Sequence, residues 1–186
     1  MKKLYIISGA NGAGKTTASY TILPEILDCK EYVNADEIAR GLSPFNPDAV
    51  NIQAGKLMLD RINVLISEGE NFAFETTLAS KSFVKYIEKA QKNGYTTKLV
   101  FFWIHSHELA IKRVKYRINE GGHDIPVDVI KRRYYRGLEN FFKIYKNSVN
   151  SWIFINNSKN PYKIITEKSA DNEIVYYKKT WNNLIG

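Results

Sequence analysis

The chain has one cysteine in 186 residues, Cys29, so no disulfide can form within it; this agrees with a reducing compartment and leaves the thiol a packing role. No apolar run approaches the roughly 20 residues needed to span a bilayer. Met1-Lys2-Lys3 leads straight into a strand pattern with no cleavable apolar segment before it. The expected location is the cytoplasm, with no membrane association. Acidic residues are the minority, 19 against 27 basic, and the net charge of +8 implies an anionic partner. Charge alone does not choose between nucleotides, sugar phosphates and nucleic acid. Repeats, linkers and low-complexity tracts are missing, and the length suits one α/β domain spanning residues 1–186.

The apolar pattern predicts alternating strands and helices. Leu4 to Ser8 is a short run, apolar on both faces, as in a buried parallel strand, and it ends at glycine. A helix over 15–27 should be kinked or divided at Pro24. Tyr32-Val33 is a second strand, and Asn34 caps the next helix with Glu37 reaching back to it. Beyond Asn46-Pro47-Asp48, apolar residues at Ile52, Leu57, Leu59, Ile62, Leu65 and Ile66 mark a long amphipathic helix ending near Gly69. Phe72 to Glu75, Leu99 to Ile104 and Trp152 to Ile155 supply three more strands, with a helix over 81–92 stopped at Asn93-Gly94. Residues 108–120 and 127–146 read as two basic helices joined by the hinge Gly121-Gly122-His123-Asp124-Ile125-Pro126. Residues 163–166 and 174–177 suggest a terminal hairpin around Ala170-Asp171-Asn172. The fold class is α/β: three layers, with a mostly parallel five-stranded sheet covered on both faces and two basic helices at about 109–136.

Between the first strand and the first helix stands Gly9-Ala10-Asn11-Gly12-Ala13-Gly14-Lys15-Thr16, followed by Thr17. The glycines let backbone N–H groups curl around phosphate oxygens, and the helix N-terminus adds its positive dipole end. Lys15 then neutralises the β and γ phosphates of ATP, and the Thr16 hydroxyl serves Mg²⁺. With this loop the expected fold is a three-layer P-loop NTPase or kinase fold, with a helical lid at about 109–136. His105 and His123 lack the spaced partners of a zinc site, so no metal beyond Mg²⁺ is expected.

Ligands of such sheets bind beyond the carboxyl ends of the strands. Asp36 and Glu75 both fall there, and each has two readings. Asp36 is a proton acceptor for a substrate hydroxyl or a first-turn acid favoured by the helix dipole; Glu75, with Thr76 and Thr77 after it, is a substrate-site residue or a solvated strand end. Lys112, Arg113, Lys115, Arg117, Lys131, Arg132, Arg133 and Arg136 crowd into one segment. Arg113 and Arg117 share one helical face, as do Arg132 and Arg136, so the two helices form either a lid that closes over a transferring phosphoryl group or a solvated charged face. Strand four runs into His105-Ser106 without the terminal acid of a Walker-B element, which counts against a plain nucleic-acid-binding ATPase or switch.

The set Gly9 to Thr17, Asn34-Ala35-Asp36, Phe74-Glu75-Thr76-Thr77, Arg113-Val114 to Arg117, Gly121-Gly122-His123 and Arg132-Arg133-Tyr134 resembles the zeta-toxin-like P-loop kinases from about residue 3 to 158. The resemblance implies ATP-dependent phosphorylation of a hydroxyl on a UDP-N-acetylated amino sugar, and an antitoxin partner. It implies Lys15 and Thr16 as holders of the phosphates and Mg²⁺, Asp36 as base, Glu75 and Thr77 as substrate-site residues, and Arg117 and Arg133 as lid arginines. Leu78-Ala79 stands where the toxins carry an arginine, and their long C-terminal extension is missing. Kinases of nucleosides, sugar acids or polynucleotide ends remain open as alternatives.

Overall fold

The computed structural model describes residues 1–119, 125–170 and 172–185. The hinge residues Gly121, Gly122, His123 and Asp124, and Asp171 of the predicted turn, lie outside them. In chain order the elements are β1 Lys2–Gly9, α1 Lys15–Thr21, β2 Glu31–Val33, α2 Ala35–Leu42, α3 Asn51–Glu68, β3 Phe72–Thr76, α4 Val84–Lys92 and β4 Tyr95–Trp103, then α5 His107–Asn119, α6 Val127–Asn140, α7 Lys146–Ser148, β5 Ser151–Asn156, β6 Lys163–Ser169, β7 Asn172–Val175 and α8 Lys178–Ile185.

Among the described residues the strands form one sheet in the order β2-β3-β1-β4-β5-β6-β7. The first five are parallel, and β6 and β7 extend the sheet as the expected antiparallel hairpin. Because β3 pairs directly with β1, Ile7 opposite Glu75 and Ser8 opposite Thr76, the glycine loop and the Glu75 end of β3 leave the sheet side by side.

Alternation along the strands separates two apolar layers. Leu4, Ile6, Phe72, Phe74, Leu99, Phe101, Trp152 and Phe154 face α3, α4 and α8, with Ile62, Leu65, Ile66, Ile87 and Trp181 packed on them. Tyr5, Ile7, Ala73, Val100, Phe102 and Ile155 face α1, α5 and α6 and meet Ala13, Val114, Ile130 and Tyr134. The glycine loop is therefore rooted in a core on the same side as the two basic helices.

Several local expectations are corrected. Ile52 and Leu57 are 80% and 40% exposed; the inward face of α3 is Ala54, Met58, Ile62, Leu65 and Ile66. Asn34 does cap α2, accepting from the Asp36 and Glu37 amides at 2.8 and 3.4 Å, but the Glu37 carboxylate pairs with Arg40 at 3.2 Å instead of reaching back. The helix after the loop divides around Pro24, where α1 gives way to a π turn over Ile22–Ile26. The helix expected to run to Lys146 passes through a second π turn, Phe141–Tyr145. The helix α8 was not foreseen.

Candidate functional site

The loop between β1 and α1 depends on two left-handed glycines, Gly12 at φ 77° and Gly14 at φ 82°. A Cβ on Gly12 would also sit 2.7 Å from the Ala110 carbonyl, so the first turn of α5 lies directly on the loop. Asn157, just past β5, donates its Nδ2 to Ala13 O at 2.8 Å and closes the other side.

Lys15 is 6% exposed, more deeply held than a surface anion site suggests; its Nζ donates to Ala10 O at 3.0 Å and lies 3.4 Å from Glu75 Oε1. Thr16 Oγ1 donates to Glu75 Oε2 at 2.9 Å. The Tyr32 hydroxyl, in a short bond, donates to the same oxygen. Glu75, 9% exposed, is thus bound between Lys15, Thr16 and Tyr32 and is no solvated strand end. Burial, then the neighbouring Glu75 charge, raises the Tyr32 pKa well above that of an ordinary phenol. Tyr32 was read only as a strand residue; its link to Glu75 bridges 43 positions and left no sequence signal.

The basic segment divides by role. Arg113, expected to help bind an anion, donates to three carbonyls: Asn157 O at 2.9 Å, Ser158 O at 3.1 Å and Gly12 O at 3.4 Å. Arg133 reaches the loop and donates to Asn11 Oδ1 at 3.2 Å. Arg132 and Arg136 are exposed. Arg117 keeps a buried Nε with no hydrogen-bond partner among the described residues.

Two cavities flank the loop. The larger, about 860 Å³, is lined by Asn11, Gly12, Gly14, Lys15 and Glu75 on one side and by Lys112, Arg113, Tyr116, Asn157 and Tyr162 on the other. The smaller, about 420 Å³, is lined by Tyr20, Asn34, Glu37, Arg40, Pro47 and Asn51. Both also contain Thr16, Thr17, Asp36 and Arg117, which form a common wall. Asp36 is exposed there, its carboxylate without a hydrogen-bond or ion-pair partner among the described residues. Thr77 lines neither cavity; its carbonyl faces Gly137 of α6. Leu78 is fully buried.

The larger cavity fits Mg-ATP by its donors. The first N–H groups of a helix have no intrahelical acceptor, and the loop, Lys15 and Lys112 supply positive charge along the wall. Among the described residues no group of three or more His, Cys, Asp or Glu side chains could hold a metal. The Thr16 hydroxyl lines the cavity beside the loop, and Mg²⁺ is commonly held by few protein ligands together with substrate phosphates.

Loop, sheet order and covering helices define a P-loop kinase fold. The chain matches zeta toxin over residues 1–170 and belongs to that family, and membership supports an ATP-dependent kinase. It is 29% identical over 140 residues to an uncharacterized protein of Haemophilus influenzae, covering 72% of this chain and 98% of that one. Among solved structures, AvrRxo1-ORF1:-ORF2 with ATP is similar at TM-score 0.80 and 15% identity, over 99% of this chain and 63% of that chain. The PezAT chromosomal toxin-antitoxin system of Streptococcus pneumoniae is similar at TM-score 0.68 and 17% identity, over 96% and 76%. At these identities the structures share the fold, and the chain spans 63% of the length of the first. Among the described residues no helix is long and apolar enough to cross a membrane.

Proposed function

We propose that the protein transfers the γ-phosphoryl group of ATP, bound in the larger cavity, to a hydroxyl of a small acceptor bound in the smaller one. The common wall carries this reading: a carboxylate and a guanidinium stand where the contents of both cavities meet. The acceptor hydroxyl gives its proton to Asp36 as its oxygen bonds to the γ-phosphorus, the bond from that phosphorus to the bridging oxygen breaks, and ADP leaves. Lys15 holds the β and γ phosphates, and Arg117, whose side chain lines both cavities, takes up charge on the transferring group. Mg²⁺, bound at Thr16, would neutralise phosphate charge. Arg133 steadies Asn11 and through it the loop.

For the acceptor we propose a UDP-N-acetylated amino sugar. Asn34, Asn51, Glu37 and Arg40 give the smaller cavity amide, carboxylate and guanidinium groups suited to hydroxyl, amide and phosphate substituents. A site in the cytoplasm would supply both substrates. An antitoxin protein is the proposed partner, since similar folds occur in the PezAT toxin-antitoxin system. Incubating the protein with γ-³²P-labelled ATP and a panel of nucleotide sugars, nucleosides, sugar acids and oligonucleotides tests the acceptor. Label moving to a UDP-N-acetylated amino sugar is the expected result, and label moving only to oligonucleotide ends rejects this acceptor.

A further inference from the structure

A P-loop site usually has an acid at the end of a neighbouring strand to fix the hydroxyl that serves the metal. Here β4 ends at Trp103 and runs on into Ile104-His105-Ser106, with no carboxylate. The acid that meets Thr16 comes from the other side of β1: Glu75 of β3 accepts the Thr16 hydroxyl at 2.9 Å. A hydroxyl has one proton and two lone pairs, so once the proton is committed to Glu75 the lone pairs turn away from it, toward the cavity that Thr16 lines.

Glu75 is itself held. Its Oε1 faces Lys15 Nζ, and its Oε2 takes the Tyr32 hydroxyl as well as Thr16. Tyr32 lines neither cavity. Its hydroxyl is fixed in turn by Asn34 Nδ2 at 3.4 Å, the same residue that caps α2 and so places Asp36. The Tyr20 ring meets the Tyr32 ring edge-on at 6.2 Å.

We propose that Tyr32 is a positioning residue that clamps Glu75 between Lys15 and Thr16, so that the Thr16 hydroxyl keeps its proton on Glu75 and offers its lone pairs to Mg²⁺. This assigns Glu75 to the metal's surroundings instead of to the acceptor, and it rests on the reading that the loop binds Mg-ATP. Burial and the adjacent carboxylate keep the Tyr32 hydroxyl protonated across the working pH range, so it remains a donor. Without it, Glu75 Oε2 loses one of its two donors while the charge stays buried, and the carboxylate shifts toward Lys15, releasing Thr16.

The test is a titration of a fluorescent ATP analogue into the wild type, Tyr32→Phe and Glu75→Gln, each with graded Mg²⁺ and with EDTA. The phenylalanine keeps the ring and removes only the hydroxyl, and Glu75→Gln probes the same link from its other end, so the answer does not depend on one variant folding. In both variants the Mg²⁺ concentration for half-maximal tightening should rise about tenfold, the usual size of an effect on a metal's outer partners. In Tyr32→Phe, which changes no residue lining the ATP cavity, affinity in EDTA should stay within about twofold of wild type. An unchanged Mg²⁺ requirement overturns the proposal, as does equal weakening with and without Mg²⁺, which would make Tyr32 a loop-packing residue. A wild-type protein that binds the analogue in neither condition overturns the ATP reading itself and this proposal with it, an outcome distinct from a wild type that binds and variants that do not differ.

Discussion

Lys15 is the residue on which the phosphate reading turns, and it is buried between the Ala10 carbonyl and Glu75. Lys15→Ala removes the cation and leaves Glu75 short of a partner, so it should abolish phosphoryl transfer and also lower stability by about 1–3 kcal/mol, the range for an orphaned buried polar group. Rates with labelled ATP and a urea denaturation curve check both effects. Near-normal transfer in the variant would reject the loop as the ATP site. Cys29 is a quieter test of the core. Burial, with the Glu31 charge beside it, pushes its thiol from 9.0 up to about 11. The folded chain thus holds this proton more tightly than the unfolded chain, so the stability it contributes is intact below pH 9 and disappears as pH rises toward 11. The urea midpoint should fall over that interval, and the fall should be shallower in Cys29→Ala.

At the scale of elements, α6 is fixed over the site by close approach. A methyl on Gly137 would collide with the Thr77 carbonyl, so Gly137→Ala should push α6 outward and carry Arg133 away from Asn11. Slower transfer without loss of the folded state, measured by rate and circular dichroism, is the expected result. On the opposite layer, α8 is anchored by Trp181, whose ring lies 5.3 Å from Phe142, 5.4 Å from Phe154 and 5.7 Å from Trp152. Trp181→Ala should cost about 3–5 kcal/mol, read from urea denaturation, with ATP affinity unaltered.

The same elements show what a sequence can reveal. Strands β1, β3 and β4 were legible because their central runs, Leu4 to Ile7, Phe72 to Phe74 and Leu99 to Phe102, are buried on both faces and apolar, and the loop was legible because its glycines are local requirements. The helix α8 was not: its apolar residues Trp181, Leu184 and Ile185 make one short i, i+3, i+4 set in an eight-residue helix, below the window in which a helical period can be read. Ile52 and Leu57 satisfied a helical period yet face outward, 80% and 40% exposed among the described residues. Asp36 and Arg117 line both cavities. The use of Arg113 on carbonyls, and the contacts of Asn157 with Ala13 and of Tyr32 with Glu75, join residues far apart in the chain, and a side chain does not announce a distant partner.

Across the whole molecule, the sheet order β2-β3-β1 sets α2, the glycine loop and Glu75 next to one another, and α5 completes the enclosure from above with Arg117. Two cavities result, with Thr16, Thr17, Asp36 and Arg117 between them. That common wall is the central claim, because a phosphoryl group can pass directly between two bound molecules only where their sites meet. The most direct test is the rate of transfer from labelled ATP by Asp36→Asn and Arg117→Ala, with ATP affinity measured on the same preparations. The account predicts turnover lower by about 10² to 10⁴ for Asp36→Asn, the span of a general base, and by about 10³ for Arg117→Ala, with ATP affinity within a few-fold of wild type in both. Turnover unchanged in both variants, or ATP affinity collapsing in step with turnover, would contradict it.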